Sequence, residues 1–394
     1  MSYELEGRWP QYTEAEIAAV TAVLESGRVN YWTGNEVRSF EQEFAEWCGV
    51  AYAIALANGT VALELALRAV DVQPDDEVIV TPRSFLASAT APLLVGAKPI
   101  FVDLDANTQA ISAESIKKAI TPKTKAVIVV HLAGLPADMD PIMEVAKAHG
   151  LKVIEDCAQA HGAKYKGRSV GSIGDVGAWS FCQDKIMTTG GEGGMITTND
   201  HDVWERAWSY KDHGKSYDVV HSKEHPPGFR WLHNELGNNY RLTEMQAAIG
   251  RIQLREMDDT LSKRTRVADR YCRILNDYEW VRLQQVDDDV VHAYYRYYIF
   301  LSLDELPSNW TRDGIMTELN DRGVPCLQGA CRNIAEERLF ENIPHTVHPL
   351  PVAEVLGESS LMFLVHPTLT ERDLHFLTTE IKAVFDEVER DRTR

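Results

Sequence analysis

The sequence predicts an α/β fold, a large domain with a mostly parallel mixed sheet sandwiched by helices, followed by a smaller α+β C-terminal domain. Two observations carry this. Between residues 51 and 180 short apolar runs alternate with helical stretches, and Gly or Pro marks many of the edges. Such alternation is what parallel strands joined by helical crossovers require. The length, 394 residues, also exceeds what a single core usually organises. The expected division is a lead-in over 1–14, a large domain over 15–250 and a smaller one over 251–394.

Thr13 is the expected N-cap of the first helix, with Glu16 completing a capping box and Ile17, Val20, Val23 and Leu24 recurring on one face. A second helix, 37–48, carries Phe40, Phe44 and Trp47 at helical spacing. Strands are expected at 51–56, 77–80, 98–102, 126–130, 152–154 and 176–180. One long helix should run from Thr243 to about Ile274 and bridge into the smaller domain. There 297–301 reads as a strand, with helices near 314–323 and 371–390.

A formal charge of −19 argues against nucleic acid, whose phosphate backbone demands clustered Lys and Arg. No run reaches the length of a membrane span, and Met1-Ser2-Tyr3-Glu4 is unlike a secretory leader, so a cytoplasmic protein is expected. The six cysteines (48, 157, 182, 272, 326 and 331) have no tight metal-ligand spacing, so no metal site is expected.

The chemistry concentrates around Lys185. It follows the strand end Trp179-Ser180 and precedes the glycine-rich run Gly190-Gly191-Glu192-Gly193-Gly194. Upstream, the apolar run Val153-Ile154 ends in Glu155-Asp156, with Gln159 three residues further. In an open α/β sheet such strand ends meet where ligands bind. An amine, an anion behind a ring nitrogen, and hydroxyls with bare N–H groups for a phosphate are what pyridoxal phosphate chemistry needs. Asn58-Gly59-Thr60 supplies the last part, an N-cap and a glycine opening a helix whose N-terminal N–H groups and dipole suit a phosphate. Ser180 could add a hydroxyl to it. Phe85 is the candidate to lie against the ring, where offset stacking is worth about 1 kcal/mol beyond burial.

Together these motifs resemble the DegT/DnrJ/EryC1/StrS sugar aminotransferases, within the fold-type I pyridoxal phosphate enzymes. The likeness also runs through 96–103, 131–140 and Asn239-Tyr240-Arg241. The resemblance implies that Lys185 binds the cofactor as a Schiff base, Asp156 pairs with its ring nitrogen, Gln159 lies near the ring hydroxyl and Phe85 stacks on the ring. Gly59, Thr60 and Ser180 would hold the phosphate, with Asn239 reaching in from the second subunit of a homodimer. It implies transfer of an amino group from L-glutamate to a keto sugar of the nucleotide-linked keto-deoxyhexose type, for a surface polysaccharide, lipopolysaccharide or antibiotic.

Several positions depart from the family pattern. Cys182 stands where His is common, Gly190-Gly191 carries one extra glycine, and 81–85 is about one residue short. The 326–332 segment differs from the usual substrate lip, which with Arg28 and Arg332 keeps open an 8-keto-3,8-dideoxy-octulosonate, an acid sugar, as the acceptor. Related sugar dehydratases replace the lysine with histidine or add an iron–sulfur cluster. Lys185 and the cysteine spacing fit neither, and an inactive binding relative would not need the full residue set.

Overall fold

The computed structural model describes residues 3–222 and 232–394. Its main sheet has eight strands in the order β1 (Tyr52–Leu56), β9 (Gly194–Thr198), β8 (Val176–Ser180), β5 (Lys152–Asp156), β4 (Thr124–Val130), β2 (Glu77–Val80), β3 (Lys98–Phe101) and β14 (Thr346–Val347). Pairing is parallel from β8 through β14, while β9 runs antiparallel to both β8 and β1. This places the carboxyl ends of β1, β2, β4, β5 and β8 along one edge of the sheet. Helices cover both faces, and two separate apolar clusters fill the layers, one around Leu65, Ile128 and Ile154 and one around Ile79, Val127 and Val153. Burial on both faces explains why β4 and β5 read as continuous apolar runs rather than alternating ones.

A second sheet orders β10 (Val281–Leu283), β12 (Arg296–Leu301), β15 (Ser360–Leu364) and β13 (Cys326–Leu327). A small third sheet joins β11 (Val290–Val291), β6 (Lys164–Tyr165) and β7 (Arg168–Ser169). The six strands expected between 51 and 180 form within two residues of their expected limits. The Thr13 capping box forms with both reciprocal hydrogen bonds.

The helix expected as one piece from Thr243 is two, Glu244–Arg255 and Met257–Leu275, with Glu256 (φ −93, ψ 5) between them. The break lets one stretch serve two cores. Leu254 and Met257 pack with Phe181 and Ile186 beside the lysine loop, whereas Val267, Tyr271 and Leu275 pack into the C-terminal sheet's core. The lead-in is also tied down, since Asp373 of the last helix accepts from Tyr3 Oη (2.8 Å) and from the N–H groups of Glu6 (2.8 Å) and Gly7 (3.0 Å). Among the described residues, no helix is long and apolar enough to cross a membrane.

Candidate active site

At the strand-end edge lies a cavity of about 520 Å³ whose lining includes Gly59, Thr60, Phe85, Asp156, Gln159, Ser180 and Lys185. All the proposed catalytic and cofactor-binding residues but Asn239 therefore meet in one place. Asn239 is exposed, lies outside this cavity, and pairs in a short antiparallel bridge with Asp212.

Lys185 sits on the loop joining β8 to β9, a loop pinned at its base by the Ser180–Gly194 pair. Gly190 (φ 85) and Gly191 (φ 122) both occupy backbone regions that favour glycine. Both glycines lie within the loop, outside the two strands. Trp9 of the lead-in donates its indole N–H to the Lys185 carbonyl at 2.9 Å. The amine itself has a carboxylate neighbour, Asp184 Oδ1, at 3.7 Å and lies 4.9 Å from the Tyr295 ring centroid.

Asp156 closes β5 and is buried. Its Oδ2 accepts from Ser88 Oγ at 2.7 Å and its Oδ1 from the Ala158 N–H at 3.1 Å. Burial pushes its carboxyl above the ordinary range, while Ser88, Ala158 and the charge of Lys185 pull the other way. Behind it, Glu155 is fully buried and accepts from the N–H groups of Gly171, Ile173 and Gly174, and it pairs with His131 Nε2 at 3.0 Å. Burial opposes the Glu155 charge, but these donors outweigh it and hold the carboxyl below its ordinary range. His131, Glu155 and Cys157 lie close enough to suggest a metal cluster. His131 is already committed, however, with Nδ1 accepting from Ala137 N–H and Nε2 held by Glu155. The trio is scaffolding for the β4 and β5 ends.

Asn58 caps the Gly59–Ala69 helix by accepting from Val61 N–H at 3.0 Å. The N–H groups of Gly59 and Thr60, in the first turn, have no intrahelical acceptor. A Cβ on Gly59 would fall 2.6 Å from the Ser180 Cβ, so only glycine lets the helix end approach the β8 end this closely. Gln159 accepts from Ala133 N–H through Oε1 at 2.8 Å, which leaves its NH₂ to face a ligand. Phe85 is 69% exposed, with its ring on the cavity wall.

Sequence reasoning missed four contributors. Ser88 could have been read from its i, i+4 spacing to Ser84, whose hydroxyl it meets at 2.9 Å. Asp184 was adjacent to the lysine, but nothing local announces Tyr295 and Arg296, which come from β12 and the residue before it. Arg28 and Arg332 do not line the cavity of this chain; Arg28 lines a separate surface groove and Arg332 pairs with Glu358 at 3.0 Å.

A lysine, a buried carboxylate with no ion pair among the described residues and an anion-seeking helix end, together in one α/β cavity, define a fold-type I pyridoxal phosphate transferase. The sequence profile of the DegT/DnrJ/EryC1/StrS aminotransferase family matches residues 10–382, and the chain belongs to that family. It is 36% identical to a GDP-perosamine synthase of Escherichia coli O157:H7, over 96% of this chain and 98% of the relative. It is 41% identical to a dTDP-3-amino-3,6-dideoxy-alpha-D-galactopyranose transaminase of Aneurinibacillus thermoaerophilus, over 87% and 91%. The crystal structure of an aminotransferase from Psychrobacter cryohalolentis superposes with a TM-score of 0.95 at 52% identity, over 98% of this chain and all of that one. The family's cofactor is pyridoxal 5′-phosphate, and the residues present fit it. The buried Asp156 carboxylate, the open helix N-terminus and the exposed ring of Phe85 each answer a different part of the molecule.

Proposed function

We propose that the protein transfers the amino group of L-glutamate to the carbonyl of a keto sugar of the nucleotide-linked keto-deoxyhexose type, in the synthesis of a polysaccharide or antibiotic amino sugar. The observation that carries this reading is the convergence of Lys185, Asp156 and the Asn58-capped helix on one cavity. The names of the relatives, makers of GDP-linked and dTDP-linked amino sugars, support the substrate class. When bound, the cofactor stores the amino group between the two half-reactions and draws electrons from the substrate carbon.

In this reading Lys185 Nζ holds the cofactor covalently between turnovers and, once released, takes and returns the substrate's proton as general base and acid. Asp156 would serve as counter-ion to the ring nitrogen; two unit charges ~4 Å apart at an effective dielectric near 20 attract by roughly 4 kcal/mol before desolvation. Gly59, Thr60 and Ser180 hold the phosphate, Gln159 meets the ring hydroxyl and Phe85 covers a ring face. Asn239, turned away from its own cavity, is assigned to the site of a second copy, so the working unit is a homodimer. A cytoplasmic setting suits the chain's free thiols. The GDP-linked and dTDP-linked products of the relatives favour a nucleotide-linked keto sugar over the acid octulosonate.

Borohydride reduction of the cofactor-loaded protein followed by peptide mapping should label Lys185. Incubation with glutamate and a panel of keto-sugar acceptors should release 2-oxoglutarate. Absence of label at Lys185 refutes the assignment; turnover only with the octulosonate would replace the acceptor class.

A further inference from the structure

Resting on the function just proposed, a further role emerges for the residue beside the lysine. We propose that Asp184, clamped by Tyr295 and Arg296, is a positioning residue that docks the nitrogen of Lys185 and keeps its positive charge at the cavity wall.

Asp184 lines the cavity with its side chain 44% exposed, while the Lys185 side chain is 14% exposed. Its two carboxylate oxygens do different work. Oδ1 faces Lys185 Nζ at 3.7 Å; Oδ2 accepts a short hydrogen bond from Tyr295 Oη and lies 3.9 Å from Arg296 Nη2. Arg296 in turn stacks on the Tyr295 ring, its guanidinium carbon 4.2 Å from the centroid, and the lysine nitrogen also lies over that ring. The carboxylate is therefore fixed by residues at the start of β12 rather than left to swing in solvent. A fixed acceptor loses less entropy in holding a partner than a mobile one. Burial works against the Asp184 charge, but Lys185, Tyr295 and Arg296 outweigh it and hold the carboxyl below its ordinary range.

The other charged and titratable groups around the amine do not perform this task. Asp156 is on the β5 end and engaged with Ser88 and Ala158. His161 stands behind β8 against Trp179 and Phe181, and burial holds it neutral with its pKa lowered to about 3. Arg264 is buried behind Tyr295 and donates to the Tyr294 and Val365 carbonyls. Cys182 and Glu192 line the same cavity and face each other at 3.9 Å. Only Asp184 presents a carboxylate to Nζ within salt-bridge distance among the described residues.

The test is the pH titration of the visible absorbance of the cofactor-loaded protein, which reports protonation of the cofactor-linked nitrogen. Asp184→Asn removes the charge and keeps the shape, so the midpoint should fall by about one pH unit, the size expected for a partly screened pair at this separation. Tyr295→Phe, which frees the carboxylate without neutralising it, should shift it less and in the same direction, and Asp184→Glu should restore part of the shift. Asp184→Ser serves as a second neutral variant should the amide compromise folding. A folded neutral variant whose midpoint coincides with the parent's overturns the proposal. Because borohydride labelling of Lys185 is scored on the same samples, an unshifted titration with label intact refutes only the role of Asp184. Loss of label in the parent protein would refute the function it rests on.

Discussion

Ser88 and Asp156 form a buried hydrogen bond of 2.7 Å, in which the hydroxyl at the start of one helix supports the carboxylate at the end of β5. The serine thereby offsets part of the desolvation that the aspartate suffers at the cavity wall. A hydrogen bond to a charged group contributes about 1.5–3 kcal/mol.

Ser88→Ala should consequently weaken cofactor binding about ten-fold. Burial already raises the Asp156 pKa, and loss of the hydroxyl raises it further. Binding that needs the ionised carboxylate should fail at a higher pH in the variant than in the parent as acid is added. Absorbance titration of cofactor-free protein across the acid limb measures both effects. Equal affinities at every pH would show that Ser88 does not support the charge.

Gly59→Ala places a methyl group 2.6 Å from the Ser180 Cβ, with backbone close behind. The helix end must back away from β8, at a cost of about 1–3 kcal/mol in stability. Cofactor affinity should fall more than stability suggests, since the displaced N–H groups are those proposed to hold the phosphate. Thermal unfolding with and without cofactor separates the two.

Glu155→Gln replaces an acceptor of four hydrogen bonds with a group that can accept at only one of its two ends. At least one buried donor loses its partner, and a loss of about 3 kcal/mol is expected. Chemical denaturation should show it, while the borohydride label on Lys185 persists in the folded fraction. A variant as stable as the parent would remove Glu155 from the scaffold.

Three buried histidines contribute to the acid sensitivity of the fold. Burial lowers His161 and His292 to about 3 and His366 to about 4. Unfolded histidines titrate near ~6.5, so below that pH the unfolded chain binds protons that the folded chain refuses. Their contribution is therefore complete above ~6.5 and falls as pH drops, by up to ~1.4 kcal/mol per pH unit for each histidine. His161→Leu should lessen that slope by about one proton's worth, measured by denaturant unfolding at several pH values. An unchanged slope would mean that His161 titrates normally.

Much of this was legible in the sequence for physical reasons. Strands buried on both faces leave unbroken apolar runs, and their carboxyl ends locate Asp156 and Ser180 before any coordinates do. The N-cap pattern at Asn58 is equally local. What was not legible depends on distant chain. β9 escaped notice because its Gly194-Met195-Ile196-Thr197-Thr198 is short and follows glycines, although every residue in it is buried. The kink at Glu256 follows from two cores competing for one helix. The Tyr295–Arg296 clamp lies more than a hundred residues from Asp184.

The Trp9 bond to the Lys185 carbonyl acquires a different meaning beside its neighbours. Arg8 is held by Thr368, and Thr188 by Gln253. The lysine loop is thus propped from behind by the lead-in, by the Glu244–Arg255 helix and, through Arg8, by the turn at Thr368. A change at any of these three distant segments therefore reaches the loop that carries Lys185.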